Sequence, residues 1–405
     1  MILIYCILVR GLSMDNNQNK QRLDTFLIAI LIALVAISCF TLYTLDDILP
    51  IHYKNAYLKQ SVWFIVGSIA IAFIMIIDFD RYRKLAWPLY ILGVAMLAGL
   101  FFLPWAWENN GATRWYLIPA LGNQTIQPSE FMKVFLAVTL AHVVASHNEK
   151  WTKKDIKYDL ILLAKIIGLT LPPLALIAVQ PDLGSALVIL SIGTFVTLIS
   201  GVRWRTLITL FSAAVLVISV LVILYFTATD SFIQFLDDIG FGHVADRILA
   251  WHEPHLYQDN SAMQAIKSML AIGSGQLFGK GVMEYQVHIP ERHTDMIFTA
   301  IAEQFGFVGS SIVIILFFLL IYRIIQIALE CKEPFGTYLC VGIVGMFAYQ
   351  IFQNIGMSIQ LLPITGLPLP FLSYGGTSLL VYMAAIGLIL NIRSRQKTYM
   401  FDSEE

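Results

Sequence analysis

Pro290-Glu291-Arg292-His293-Thr294-Asp295 runs straight into Met296-Ile297-Phe298-Thr299-Ala300-Ile301, the head of an apolar stretch that continues to Tyr322 and is long enough to cross a bilayer. Four ionisable side chains thus crowd the mouth of a membrane span, where charge is expensive and marks a functional site by default. The plain alternative is an N-cap, with Thr294 or Asp295 starting the helix. The clustering favours a site, because a carboxylate held where water meets hydrocarbon can act on a lipid-linked substrate. His293 alone would more often be a hydrogen-bond partner than a base.

Outward from this stretch the chain keeps the same character. Of its 405 residues 58% are hydrophobic and 13% charged, and the mean hydropathy is +0.74, whereas about a quarter of residues are charged in soluble domains. The apolar residues come in many separate runs, which neither a secretory signal nor a single anchor explains. Runs of about 20 apolar residues fall near 24–45, 61–79, 86–104, 127–146, 159–179, 185–200, 206–226, 296–322, 336–359 and 375–392. The expected fold is therefore an all-α polytopic membrane protein with about ten transmembrane helices, embedded among membrane lipids. Nucleic acid is not an expected partner. Cys6, Cys39, Cys331 and Cys340 show no paired spacing and read as packing residues rather than disulfide or zinc ligands. Met14 opens an ordinary cytoplasmic start, Met14-Asp15-Asn16-Asn17-Gln18-Asn19-Lys20, and translation is expected to begin there.

The connectors Arg81-Tyr82-Arg83-Lys84, Lys150 to Lys157, Arg203-Trp204-Arg205, Arg323 to Lys332 and the tail Arg393 to Lys397 are basic and alternate with loops poorer in Lys and Arg. The positive-inside rule makes the basic connectors and both termini cytoplasmic. The outward side then receives 105–126, the Gln180–Gly184 turn, a large extracytoplasmic loop from about 227 to 295, and the Pro-rich stretch 360–374. The 227–295 segment is too long for a plain connection, and helix-compatible patches such as Ser261 to Ile272 suggest short amphipathic pieces on the membrane surface.

Gln127-Pro128-Ser129-Glu130-Phe131-Met132-Lys133 reads as a helix start with Pro in its first turn and Glu at the positive dipole end. Glu130 and Lys133 are spaced for an intrahelical ion pair, and that structural role stands beside a functional one. Lys133 lies about one turn inside an apolar span and should face the bundle interior or a wet cavity. Trp115 suits an interfacial anchor; beside Arg114 it could also stack on a sugar while the guanidinium binds phosphate. In Gln180-Pro181-Asp182-Leu183-Gly184 the chain reverses, and Asp182 is expected to cap the next helix. The glycine-rich run Ala271 to Gly281 matches no nucleotide-binding pattern; its glycines are expected to let the backbone approach a ligand or the membrane. Leu362 to Gly376 carries three prolines among apolar residues and reads as a re-entrant or cavity-lining Pro/Gly-rich segment. Neither a zinc-hydrolase motif nor a serine-nucleophile elbow is present.

Gly111-Ala112-Thr113-Arg114-Trp115, Gln127-Pro128-Ser129-Glu130, Gln180-Pro181-Asp182-Leu183-Gly184, His293-Thr294-Asp295 and Ser373-Tyr374-Gly375-Gly376 occur in this order. Together they closely resemble the SEDS family of shape, elongation, division and sporulation proteins, over about residues 24 to 397. Pro290 to Asp295, Asn354-Ile355-Gly356-Met357 and Leu369-Pro370 look more like its RodA elongation branch than its FtsW division branch. The Tyr116-to-Thr125 connector departs from the pattern by its length. On this resemblance, 1–23 is a cytoplasmic N-terminal segment, 24–392 the SEDS transmembrane domain and 393–405 a cytoplasmic tail.

The resemblance implies a peptidoglycan glycosyltransferase that polymerises lipid II at the outer face of the bacterial cytoplasmic membrane, partnered by a class B penicillin-binding protein that crosslinks the strands. It maps the essential aspartate onto Asp295 and an important tryptophan onto Trp115. Polymerisation needs a base for the attacking hydroxyl and positive charge for the departing diphosphate. Asp295 is assigned the first role; Arg114, Lys133, Arg247, Lys267 and Arg292 are candidates for the second, with a divalent cation such as Mg or Mn as a further candidate and no other cofactor. Gln127, Glu130, His293, Ser373 and Tyr374 complete the substrate-binding expectation. The alternatives are a lipid II flippase, which would need polar residues through the full bilayer depth, with Lys165 an inner-half candidate, and a non-catalytic scaffold for a transpeptidase.

Overall fold

Ten long helices stand where the ten apolar runs lie in this computed structural model, which describes residues 23–103, 106–109, 112–118, 124–151, 155–238, 240, 242–252, 254–255 and 260–395. The expected start at Met14 and most of the tail lie outside these residues. The helices are α1 (Thr25–Leu45), α2 (Ala56–Ile76), α3 (Phe79–Gly99), α4 (Pro128–Lys150), α5 (Ile156–Val179), α6 (Leu183–Ile199) and α7 (Trp204–Thr227), then α11 (Ile297–Glu330), α12 (Pro334–Ser358) and α13 (Gly376–Ser394). Eight of them are long and apolar enough to cross a membrane. The other two have evident reasons for falling short: α6 has only 17 residues, and the first turns of α3 carry Asp80, Arg81, Arg83 and Lys84. The chain is a multi-pass, helical membrane protein.

The centre of the bundle is α4 with α12. Helix α4 packs against α3, α6 and α12, α12 also meets α6 and α11, and α13 lies along α2. At the basic end, Asp24 caps α1 by accepting from the Leu27 amide at 2.9 Å and pairs with Arg323 of α11 at 2.7 Å. Asp159 of α5 does the same for the start of α7, 2.7 Å from Arg203. Each buried carboxylate thus meets a cation, as low-dielectric burial demands. Helix α7 is the exception to close packing, since Leu207 is its one buried residue.

The segments expected to face outward depart from an all-helical reading. Residues 106–126 contain an antiparallel sheet, order β1-β2-β3, of β1 (Ala106–Asn109), β2 (Ala112–Ile118) and β3 (Gln124–Ile126), with Trp107 opposite Trp115 and Tyr116 opposite Ile126. The Thr, Trp, Tyr and Ile of β2 favour a pleated, half-buried surface. The 227–295 segment contains the expected short helices, α8 (Thr229–Asp238), α9 (Gly242–His252) and α10 (Asn260–Ser274). Helix α10 packs on α11 and α12, with Ser268 donating to the carbonyl of Ser358.

The glycine-rich run serves a different purpose from the one its composition suggested. Helix α11 is broken at Gly306, whose φ is +60°, and the run lies against that break. The amides of Lys280 and Gly281 donate to the carbonyls of Glu303 and Gln304 at 3.0 and 3.2 Å, while the amides of Phe307 and Val308 donate to Gln276 and Leu277 at 2.9 and 3.1 Å. Groups left unpaired by a helix break must be satisfied inside a membrane protein, and here the run does so. A Cβ on Gly279 would collide with the carbonyl of Gln304. The close approach at Gly275 and Gly279 is to the protein's own backbone.

Residues 360–375 contain no helix, and all but Leu361 and Gly366 are buried or half-buried, in keeping with a re-entrant segment. Their backbone is held by side chains of the surrounding helices: Ser38 of α1 donates to Leu372 at 2.8 Å, Gln60 of α2 to Ser373 at 3.0 Å, and Gln353 of α12 to Pro363 at 2.9 Å. Irregular backbone is tolerated at such a place because protein covers it.

Candidate active site

Asp295 sits one residue before the N-cap of α11, Met296, and is half-buried. Gly366 of the re-entrant segment, at φ +74°, lies so close that a Cβ there would be 3.7 Å from Asp295 Oδ2. The Thr294 hydroxyl lies 3.0 Å from the Glu291 carbonyl and 3.3 Å from both Glu291 Oε2 and Asp295 Oδ1, so it stands between the two carboxylates. Burial first, and the Glu291 charge second, push the Asp295 carboxyl up to about 7. That is where a general base working near neutral pH should titrate.

Positive charge reaches the same place from two other elements. Arg247, on α9, interacts with the charges of Arg114, Asp182 and Asp295, and burial together with Arg114 lowers its pKa, though a guanidinium stays charged. Among the described residues its Nη1 has no hydrogen-bond partner. A buried guanidinium nitrogen without a partner, near enough to Asp182 and Asp295 to feel their charge, can take an anionic oxygen. Arg114 of β2 is anchored by the Gln180–Gly184 turn, donating from Nε to the Gln180 carbonyl at 3.0 Å and from Nη2 to that of Pro181. Asp182 caps α6 as expected, accepting from the Ser185 amide at 3.1 Å, and accepts from Gln127 at 3.2 Å. Asp295, Arg247, Arg114, Asp182 and Gln127 thus belong to one cluster built from five separate stretches of chain.

Other candidate residues are spent on structure. Glu130 and Lys133 form a buried pair at 2.7 Å, with Lys133 fully enclosed and 5.9 Å from the centre of the Tyr382 ring. Arg292 turns away from Asp295: it pairs with Glu303, donates to Val287 at 2.9 Å and Thr299 at 3.2 Å, and covers the Tyr285 ring at 4.5 Å. Glu303 also takes Lys280 at 2.7 Å. His293 is buried against Tyr53 at 4.2 Å and Tyr374 at 5.9 Å between ring centres. Burial pushes its pKa down to about 4, so it is neutral at pH 7. Ser373 donates to the Thr294 carbonyl and accepts from the Leu369 amide at 2.8 Å. Lys267 is half-buried on α10, and no described contact joins it to the Asp295 cluster. Trp115 packs against Trp107 with ring centres 6.2 Å apart. Neighbouring residues on a strand point to opposite faces, so Arg114 and Trp115 do not address one ligand group together.

Three contributors escaped the sequence reading. Tyr53, at the end of a 3₁₀ turn between α1 and α2, carries no local signal. Gly366 is one glycine among several. Glu303 did carry one, a carboxylate inside an apolar run, by the same rule that singled out Asp295.

Among the described residues no three His, Cys, Asp or Glu side chains gather to hold a metal ion. Glu291 and Asp295 meet the lesser demand of a Mg ion that keeps several waters and draws further ligands from substrate phosphates.

Comparison with known proteins returned a family model described as cell cycle protein, FtsW/RodA/SpoVE, matching residues 7–398. The chain is 32% identical over 390 residues to the probable peptidoglycan glycosyltransferase FtsW of Geobacter metallireducens, covering 94% of this chain and 97% of that one. It is 31% identical over 401 residues to the peptidoglycan glycosyltransferase MrdB of Escherichia coli, covering 95% and 98%. Among solved structures it resembles a chain of a peptidoglycan synthase complex that coordinates polymerization and crosslinking, with TM-score 0.72, 28% identity and coverage of 92% and 99%. The rod shape determining protein RodA of Thermus thermophilus matches with TM-score 0.63 and 28% identity, over 93% and 98% of the two chains.

Proposed function

Because the chain belongs to the FtsW/RodA/SpoVE family of cell cycle proteins, we propose that it is a peptidoglycan glycosyltransferase that polymerises lipid II at the outer face of the bacterial cytoplasmic membrane. Both termini then face the cytoplasm, and the elongation-type motifs favour a use in cell elongation and shape. The observation that carries the reading is a half-buried carboxylate, Asp295, titrating near 7 beside an Arg247 nitrogen that lacks a partner among the described residues.

In the reaction, the 4-hydroxyl of one lipid-linked disaccharide attacks the anomeric carbon of the MurNAc at the end of another. The new O–C bond forms as the bond to undecaprenyl diphosphate breaks, with inversion. Asp295 takes the hydroxyl proton, and the diphosphate leaves with the electron pair. Arg247 and Arg114 stabilise the charge that develops on it, a contribution that grows in a water-poor site. A divalent cation carried in with the diphosphate would be held by Glu291 and Asp295 and would add positive charge there. The strands so made pass to a class B penicillin-binding protein, the partner the resemblance implies and the synthase-complex neighbour supports.

Purified full-length protein with that partner, given lipid II, tests the proposal. Replacing Asp295 by Asn should cut polymerisation by about 10²- to 10⁴-fold, the contribution of a positioned base, while leaving assembly with the partner intact. Normal glycan synthesis by that variant would remove Asp295 from catalysis, and a wild-type protein that moves lipid II without joining it would identify a flippase.

A further inference from the structure

We infer that Asn354 is a positioning residue for Asp295, acting with Ser373 and the Tyr374 amide to fix the backbone on which the base is mounted. Three successive carbonyls, those of His293, Thr294 and Asp295, are each claimed by a donor from elsewhere in the chain. The Tyr374 amide donates to His293 at 2.9 Å, the Ser373 hydroxyl donates to Thr294, and the Asn354 side-chain amide donates to Asp295 at 2.7 Å. The same Asn354 nitrogen donates to Leu367 at 2.7 Å, so one side chain of α12 joins the base's own peptide to the re-entrant segment.

Asn354 is fully buried. A primary amide at such a place is unfavourable unless its donors are used, and both of its N–H groups are directed at carbonyls of the site. None of these groups touches the Asp295 carboxylate. They set where it points, and Gly366 beside Oδ2 is held in register by the Leu367 bond. The support extends outward, since Gln60 holds the Ser373 carbonyl at 3.0 Å, and within α12 the Ser358 hydroxyl donates to the backbone carbonyl of Asn354 at 2.8 Å. A base must be held in near-attack geometry, and a displacement of about 1 Å can cost about 10²-fold in rate.

This inference rests on Asp295 being the base, and the experiment separates the two. In the full-length protein with its partner and lipid II, Asn354→Ala should lower kcat by about 10- to 100-fold with KM changed less than about 2-fold. The acidic limb of its pH–rate profile should move to lower pH, because a loosened segment admits water to a carboxyl whose pKa burial had raised. Ser373→Ala should do the same more weakly, and Ser373→Thr, which keeps the hydroxyl, should restore the parent profile. Should Asn354→Ala fail to fold, the Ser373 pair decides. An inactive Asp295→Asn protein beside Asn354→Ala and Ser373→Ala proteins of parental kcat, or of reduced kcat with an unmoved profile, would overturn the positioning role alone. A fully active Asp295→Asn protein would overturn both.

Discussion

In the proposed reaction Asp295 acts through a proton affinity that its neighbours set. Its carboxyl titrates at about 7 because it is buried and because Glu291 lies nearby. A base must be ionised to accept a proton, so kcat/KM should rise as pH climbs through about 7 and fall below it. Replacing Glu291 by Gln removes the repelling charge, lowers the Asp295 pKa, and should move the acidic limb to lower pH. An unmoved limb in that variant would mean that Glu291 does not act on the base. The individual residues were unevenly legible. Asp295 could be read because a carboxylate before an apolar run has few idle explanations, and Arg247 because the site needs cations. Arg292 could not be sorted from Arg247 by sequence: its partner Glu303 lies on the next helical element, and only packing directs the guanidinium inward.

Helices were the most readable elements, since an apolar run of spanning length has one common solution in lipid. Their ends were less so. Helix α3 starts at Phe79, ahead of the apolar run at 86, because charged side chains in an exposed first turn do not stop a helix. The sheet of residues 106–126 escaped notice because strands of 4, 7 and 3 residues are too short for alternation to declare itself. The break in α11 was hidden as well, since a single glycine in an apolar run usually costs little. At Gly306 it is required: φ is +60°, and a Cβ would strike the backbone of Gly279 and Leu277. Gly306→Ala should therefore lose at least about 2 kcal/mol, visible as a lower unfolding midpoint in detergent and as reduced specific activity at growth temperature. A variant that melts with the parent would show that the break does not need glycine.

For the molecule as a whole, orientation is the property on which the reaction's location depends. In a protein stripped of native cysteines, a single cysteine at exposed Glu284 should react with a membrane-impermeant maleimide on intact cells. One at exposed Lys84 should react only after lysis, and the reverse pattern would turn the site toward the cytosol. The basic connectors carry the expectation of this orientation, whereas the assembly of the site from β2, the 180–184 turn, α9, the 290–295 segment and the re-entrant segment depends on tertiary packing that no local pattern reports. The interrupted α11 has one more consequence. Its severed ends are joined through the 276–281 turn, whose backbone groups pair with those on both sides of the break. A change that displaces this turn therefore takes backbone partners from both halves of α11 at once.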